Sequence, residues 1–238
     1  MSEYRITVKS MEGDLFHRLP PKLILEHSLN CILSDLCADG GSREALYEAA
    51  GAVWMLSHTQ FTQEAPILPG DELLLRVSPR MEKRTCYLYD VDILRGEETV
   101  VRLQATFIAV AKESRRIVRI AQLASIWKTP PQPARSSTMH RLRPVCEFLP
   151  CGSDLVRFSD CDFNGHMTSG AYLSMICNAL EYWDSAVPRF MKAMQVDYSS
   201  EVYPGTELRF LRGELDGVRY VRGVKPDGRV AFTAACEF

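Results

Sequence analysis

Four polar residues spaced two apart lie just before an apolar stretch in the second half of the chain. Asp160, Asp162, Asn164 and His166 are followed by Ser169-Gly170, which has the composition of a helix start. Polar groups at such a place lie near backbone N–H groups and the positive end of the helix dipole, which favour developing negative charge. The pattern therefore indicates chemistry on a carbonyl, although Asp and Asn before a helix also serve simply as caps.

Composition and charge narrow the class of protein. The 238 residues suit one large domain or two of about 120. A net charge of -2 argues against nucleic acid or a membrane surface as the main partner. No run reaches the roughly 18 apolar residues of a membrane span, and the charged N-terminus lacks the apolar core of a signal peptide. A cytoplasmic protein is predicted.

Cysteine and histidine spacing predicts neither a metal site nor a cofactor. The eight cysteines lie mostly among apolar residues and form no C-x-x-C pair, which is typical of reduced core cysteine. The five histidines are scattered along the chain.

The two halves of the chain repeat one order of elements: strand, apolar helix, antiparallel strands. In the first half we predict a strand at 4–8, a helix from Pro21, a helical piece at 43–50, and strands near 52–62, 71–79, 85–95 and 98–110. In the second half we predict a strand at 154–158, a helix to about 185, and strands near 192–200, 206–214, 218–224 and 229–237. One long helix wrapped by a curved antiparallel sheet is expected in each half, with two unrelated α+β domains as the alternative.

The repeat also predicts which half is reactive. Leu68–Leu73 matches Tyr203–Leu208 at an offset of 135. At an offset of 148 Asp14 falls on Asp162, but Phe16 falls on Asn164 and Arg18 on His166. The first half therefore keeps the scaffold and lacks the polar set.

A Pro-rich stretch separates the halves. Lys128 to Arg143 carries Pro130, Pro131 and Pro133 and four positive charges, with no acidic residue. We predict an N-terminal domain at 1–127, a basic linker at 128–147 and a C-terminal domain at 148–238.

The motif resembles a known enzyme family. Asp162-x-Asn164-x-His166 before a Tyr-containing helix, with Asp197-Tyr-Ser-Ser-Glu201 about 35 residues later, resembles the fatty acyl-acyl carrier protein (ACP) thioesterases of plants and bacteria. Ala52–Ser57 and Lys112–Arg116 are similar to the family's first-half strand and its basic turn. The resemblance implies an α+β fold of two hotdog domains in tandem.

The resemblance also implies a catalytic set of Asp162, Asn164, His166 and Glu201. Thioester hydrolysis needs an activated water, a polarised carbonyl and a stabilised oxyanion. Glu201 can act as base or orient the water, and His166 can share that proton or protonate the leaving thiolate. Asn164 offers an amide donor, and Asp162 can hold its neighbours. Which of Glu201 and His166 takes the proton stays open.

Two positions depart from the plant pattern. Thr168 stands where plant members have an asparagine, and Val202 stands where they have a cysteine once proposed as the nucleophile. A thiol mechanism at position 202 is therefore impossible here. Nothing in the sequence around Cys161 indicates the lowered pKa of a nucleophilic thiol either.

Two further groups of residues follow from the resemblance. The first half would hold the acyl chain, and its candidate lining residues are Leu25, Leu29, Leu33, Trp54 and Met55. Core packing is the other interpretation of these five. A basic stretch would dock the acidic carrier or would be a solvated face, and its candidates are Lys112, Arg115, Arg116 and Arg119.

We therefore predict hydrolysis of fatty acyl-ACP by direct water attack, by a monomer or homodimer that needs no metal. Acyl-CoA is the alternative substrate. A double-hotdog enoyl-thioester hydratase is disfavoured because those enzymes place histidine five residues after aspartate with a proline between, whereas here the spacing is four with Gly165. A non-catalytic acyl-thioester binder would need an output module, for which this length leaves no room.

Overall fold

One antiparallel sheet runs through both halves of the chain and carries a long helix from each. The structure is a computed structural model that describes residues 1–78, 81–83, 85–129, 132–133, 140–181 and 190–238. Within these ranges no helix is both long enough and apolar enough to cross a membrane.

The elements follow the predicted order in both halves. The first half contains β1 (Ser2–Thr7), α1 (Pro21–Ala38), α2 (Arg43–Ala50), β2 (Ala52–Gln63), β3 (Glu72–Val77), β4 (Met81–Lys83), β5 (Cys86–Arg95) and β6 (Glu98–Ala111). A short β7 (Gln132–Pro133) precedes the second half. The second half contains β8 (Leu149–Leu155), α3 (Ser169–Ala179), β9 (Ala193–Tyr198), β10 (Glu207–Leu215), β11 (Val218–Val224) and β12 (Val230–Glu237).

The strand order makes the two halves equivalent. The main path of the sheet is β1-β3-β5-β6-β2-β9-β12-β11-β10-β8, with β4 and β7 added beside β5. Read outward from the centre, β2-β6-β5-β3-β1 corresponds to β9-β12-β11-β10-β8. Each half is thus a helix wrapped by a five-stranded antiparallel sheet, which confirms the double-hotdog prediction.

The halves join at a continuous seam between β2 and β9. In this pairing Gln60 lies opposite Gln195, and His58 lies opposite Asp197. Gln60 and Gln195 are separated by the repeat offset of 135, so a pseudo-twofold axis passes between them.

A buried carboxylate ties the chain ahead of β8 to this seam. Asp197 accepts hydrogen bonds from the Leu142 N–H at 2.6 Å and from Gln195 at 3.2 Å, and it lies 3.0 Å from His58 Nδ1. Burial would raise the pKa of Asp197, but these hydrogen bonds hold it below its ordinary value. His58 is thus held at the seam by its contact with Asp197.

The two long helices begin and pack for identifiable reasons. Pro21 occupies the first turn of α1, where no N–H is needed. Thr168 caps α3 by accepting a 3.1 Å hydrogen bond from the Ala171 N–H, an interaction of about 1 kcal/mol. A Cβ on Gly170 would lie 2.2 Å from Glu26 Oε1, so the glycine lets α3 approach α1 without displacing that side chain.

Two predicted boundaries in the second half were inaccurate. The strand expected at 154–158 instead spans Leu149–Leu155 and is followed by a 3-10 turn at Phe158–Asp160. That turn forms because the Asp160 carboxylate accepts from the Arg157 N–H at 2.8 Å. The helix expected to reach 185 ends at Ala179, and Glu181 adopts a left-handed φ of 52°. Positions 182–189 lie outside the described residues.

The linker prediction falls partly outside the described residues, at 130–131 and 134–139. In its described part, β7 pairs in parallel with β4. The boundaries at 127 and 148 remain a proposal.

Candidate active site

The motif folds as a tight turn that fixes Asn164 and His166. The Asp162 N–H donates to the His166 carbonyl at 3.0 Å, and the Gly165 N–H donates to the Asp162 carbonyl at 2.9 Å. Gly165 has a φ of 80°, a conformation that glycine adopts at low cost. One Asp162 oxygen accepts from the Asn164 backbone N–H at 2.8 Å, and the other accepts from the Asn164 amide at 3.1 Å. Asp162 therefore holds its neighbour in place.

A backbone bond brings this turn to the segment that carries Glu201. The Met167 N–H donates to the Val202 carbonyl at 2.8 Å. His166 Nε2 then lies 3.9 Å from Glu201 Oε1, with the two side chains 23% and 16% exposed. This separation is too long for a direct hydrogen bond. Both groups can instead contact one small molecule, such as a water, placed beside them.

Glu201 is held by two further side chains. Arg115 Nη1 donates to Oε1 at 3.0 Å, and Arg115 Nη2 lies 2.9 Å from Oε2. The Tyr203 hydroxyl donates to Oε2 at 2.7 Å. This hydrogen bond to the carboxylate raises the pKa of Tyr203, to which partial burial adds. Tyr203 therefore acts as a hydrogen-bond donor.

The first turn of α3 completes the polar side of the site. N–H groups in the first turn of a helix have no partner within the helix, and the helix dipole there favours negative charge. Thr168 and Ser169 line the same cavity as His166. The turn, the helix start and Glu201 thus surround one space.

That space is a cavity of about 490 Å³ between the two halves. The predicted catalytic residues at its wall are Asp162, Asn164, His166 and Glu201. The predicted acyl-pocket residues at its wall are Leu29, Leu33, Trp54 and Met55. Two sets of residues that were predicted separately therefore line one cavity.

Leu25 differs from the other predicted pocket residues. It is only 1% exposed and belongs to the hydrophobic core, not to the cavity wall. Leu25 and Leu29 are four positions apart on α1, so both fit the same apolar helix face in the sequence. The assignment of Leu25 to the pocket is therefore revised to core packing.

Aromatic contacts support Trp54 at the first-half side of the cavity. Trp54 donates its indole N–H to the Gly41 carbonyl at 2.9 Å. Its ring centroid lies 5.4 Å from that of Tyr87 and 5.8 Å from that of Trp127. Rigid aromatic contacts of this kind fix the position of the wall.

Several residues that line the cavity were not predicted from the sequence. Tyr172 and Tyr198 line the cavity with ring centroids 5.3 Å apart, and burial raises the pKa of Tyr172 well above its ordinary value. The exposed Phe163 also lines it, with the Arg43 guanidinium 4.4 Å from its ring centroid. Phe163 and Tyr172 lie within and just after the motif, and this proximity was the available signal.

The four predicted carrier-docking residues are all exposed but differ in the contacts of their side chains. Lys112, Arg116 and Arg119 are exposed. Arg115 is exposed as well, but its guanidinium is engaged by Glu201. Its position in the site was not expected from the sequence.

Two further observations concern the Cys161 thiol and the possible metal ligands. Partial burial raises the pKa of Cys161, and the nearby Asp160 and Asp162 raise it further, which disfavours the reactive thiolate. In the described ranges no group of three or more His, Cys, Asp or Glu side chains is arranged to hold a metal ion.

Comparisons with known proteins agree with this site. Residues 154–226, which include all four predicted catalytic residues, match the sequence profile described as the acyl-ACP thioesterase C-terminal domain. This match lies in the same half as the motif and is to the family that the motif resembles. No curated protein sequence matches the chain significantly.

The fold is similar to solved structures over its whole length. An acyl-ACP thioesterase from Bacteroides thetaiotaomicron superposes with a TM-score of 0.82 at 17% identity, covering 100% of this chain and 97% of that one. The 12:0-ACP thioesterase from Umbellularia californica superposes with a TM-score of 0.80 at 14% identity, covering 99% of this chain and 96% of that one.

Proposed function

We propose that this chain is an acyl-ACP thioesterase, which hydrolyses fatty acyl-ACP to free fatty acid and ACP thiol. The observation that carries the proposal is that Asn164, His166 and Glu201 line one cavity together with apolar residues of the first half. A polar set at one side of an apolar cavity fits a thioester carbonyl with a hydrocarbon tail.

Water attack on the thioester follows from the positions of the polar groups. A water between Glu201 and His166 contacts both, since Glu201 Oε1 and His166 Nε2 are 3.9 Å apart. As its oxygen bonds to the carbonyl carbon, its proton passes to Glu201 or His166. When the C–S bond breaks, that proton goes to the leaving sulfur. The products are a carboxylic acid and the carrier thiol.

Asn164 and the start of α3 are suited to the developing oxyanion. A side-chain amide has two N–H donors, and one of those of Asn164 is used by Asp162. The other is available for the carbonyl oxygen. Removing one such donor costs about 10²- to 10³-fold in kcat in other enzymes.

The acyl chain would occupy the first-half side of the cavity. Its volume of about 490 Å³ lies in the usual range for small-molecule sites. We assign the chain to the wall formed by Leu29, Leu33, Trp54 and Met55.

We infer that ACP, not CoA, carries the substrate, and that its acidic surface docks on the basic turn after β6. The match of residues 154–226 to the acyl-ACP thioesterase C-terminal domain supports this assignment, as do the exposed positive charges of Lys112, Arg116 and Arg119. All eight cysteines are free thiols, which supports the cytoplasm as the compartment.

The test is release of free thiol from a panel of acyl-ACP and acyl-CoA thioesters of different chain lengths. We expect turnover of acyl-ACP with a higher kcat/KM than for the matching acyl-CoA, and none with Asn164→Ala. Preference for acyl-CoA would replace the carrier assignment. Hydration of an enoyl thioester without thiol release would refute the hydrolase.

A further inference from the structure

We propose that Arg115, supplied by the half without the catalytic set, is a positioning residue that orients the Glu201 carboxylate toward the reacting water. The inference rests on the proposed thioester hydrolysis. It gives the first half a part in the reaction besides forming the pocket.

The contact between the two residues is specific in geometry. Arg115 approaches both carboxylate oxygens, at 3.0 Å for Oε1 and 2.9 Å for Oε2. It also donates to the Tyr203 hydroxyl at 3.3 Å. A guanidinium that binds both oxygens fixes the plane of a carboxylate as well as its place.

The backbone of the turn after β6 places the Arg115 side chain next to Glu201. The Arg115 N–H donates to the Ala111 carbonyl and the Ala111 N–H donates to the Arg116 carbonyl, each at 2.9 Å. Arg115 itself has a φ of 56°. A left-handed conformation is unfavourable for a residue other than glycine and persists only where the surroundings impose it. It occurs here at the residue that reaches across to the second half.

Counting acceptor positions shows what this contact leaves free. An ionised carboxylate accepts at about four positions, two on each oxygen. Arg115 donates to Oε1 and Tyr203 donates to Oε2, while the second guanidinium nitrogen of Arg115 lies 2.9 Å from Oε2. Among the described residues, no other side chain is seen to donate to Oε1, the oxygen 3.9 Å from His166 Nε2. Arg115 and Tyr203 thus hold the carboxylate in a position that leaves Oε1 able to accept from a water beside His166.

The pair is poorly placed to serve stability instead. The Arg115 side chain is 51% exposed, and exposed ion pairs contribute about 0–1 kcal/mol. Removing Arg115 should therefore leave the protein folded. A loss of activity in its absence would report on the orientation of Glu201.

The experiment compares Arg115→Ala and Arg115→Lys with a matched control, Arg76→Ala. Arg76 binds Glu3 at 2.9 Å between β1 and β3, at the outer edge of the sheet. That substitution removes an arginine–glutamate pair of similar type away from the site. The substrate is a short uncharged thioester, so that carrier docking does not contribute.

We expect Arg115→Ala to lower kcat by about 10- to 100-fold, as misplaced catalytic groups do, with KM changed by less than about twofold. Arg115→Lys should restore only part of kcat, because lysine cannot bind both oxygens. Added guanidinium ion should raise kcat of Arg115→Ala and leave the wild type unchanged. Arg76→Ala should keep the wild-type kcat.

Three outcomes would count against the inference. Wild-type kcat in Arg115→Ala refutes a positioning role. Full activity of Arg115→Lys would reduce the contact to a simple charge. A defect confined to KM for carrier-bound substrate would return Arg115 to docking. If the wild type released no thiol from any thioester, the proposed function itself would fail, which separates the two cases.

Discussion

The turn at Asp14–Arg18 in the first half and the turn at Asp162–His166 in the second have the same backbone and different side chains. The Asp14 N–H donates to the Arg18 carbonyl at 2.7 Å, as Asp162 does to His166 at 3.0 Å. The Asp14 carboxylate accepts from the Phe16 N–H at 2.8 Å, as Asp162 accepts from Asn164 at 2.8 Å. The backbone arrangement of the site therefore exists twice.

The equivalence extends to the segment that carries the carboxylate. The Leu19 N–H donates to the Ile67 carbonyl at 2.8 Å, in the place where Met167 donates to Val202 at 2.8 Å. At the offset of 135 the residue matching Glu201 is Pro66. The two halves thus differ at three positions of the proposed catalytic set, where phenylalanine, arginine and proline replace asparagine, histidine and glutamate.

The largest expected effect separates the two turns directly. Asn164→Ala or His166→Ala should lower kcat by about 10²- to 10⁴-fold, the range of general acid–base and oxyanion contributions. Asp14→Ala removes the equivalent carboxylate of the first half and should leave kcat unchanged. Steady-state kinetics on protein shown by circular dichroism to be folded measure both. A similar loss in Asp14→Ala would mean that the first-half turn also participates.

A second change tests the position that is proline in the other half. Glu201→Gln preserves shape and removes the charge, so kcat should fall about 100-fold with KM little changed if Glu201 activates the water. Tyr203→Phe, which removes one of the hydrogen bonds to Glu201, should cost less. A near-normal kcat in Glu201→Gln would leave His166 as the only base.

Two leucines on α1 sharpen the division between core and cavity. Leu25→Ala should lower the free energy of unfolding by about 2–5 kcal/mol, because it leaves a void in a packed core. Leu29→Ala should destabilise less and shift the preferred acyl chain length, because it enlarges the cavity. Denaturant unfolding and a chain-length profile of kcat/KM measure the two. Identical profiles for both variants would contradict an acyl pocket on that wall.

The smallest effect concerns docking by the first half. Reversing Lys112, Arg116 and Arg119 to glutamate should lower kcat/KM for acyl-ACP several-fold, with little change for a short uncharged thioester. The wild-type value for acyl-ACP should also fall with salt, since such attraction is screened beyond about 8 Å at physiological ionic strength. An equal response of both substrates would exclude electrostatic docking on this turn.

Local patterns in the sequence predicted most elements of this fold. The alternation that predicts a strand and the proline that begins a helix involve residues close together in the sequence. As a result, β5, β6 and α2 lie within one or two residues of their predicted places. The strand β8 was displaced in the prediction because Pro150 and Gly152 disfavour an assignment that its pairing with β10 nevertheless imposes.

The site was predicted in part for the same reason. Asp162, Asn164 and His166 lie in one short motif, so their proximity is local. The contact between Arg115 and Glu201 joins residues 86 positions apart, and no local pattern encodes it. Leu25 and Leu29 could not be separated because both lie on one apolar face of α1, and only the tertiary packing places Leu25 in the core and Leu29 at the cavity wall.

The seam between β2 and β9 has a consequence for how substrates are selected. Hydrogen-bonded pairing runs from His58–Asp197 to Thr62–Ala193, so the halves share one sheet and cannot swing apart without breaking it. A cleft between hinged domains adapts to its contents, whereas this cavity has walls fixed by a common framework. The cavity would therefore accept acyl chains up to a fixed length and exclude longer ones, because its walls do not close around chains of different lengths.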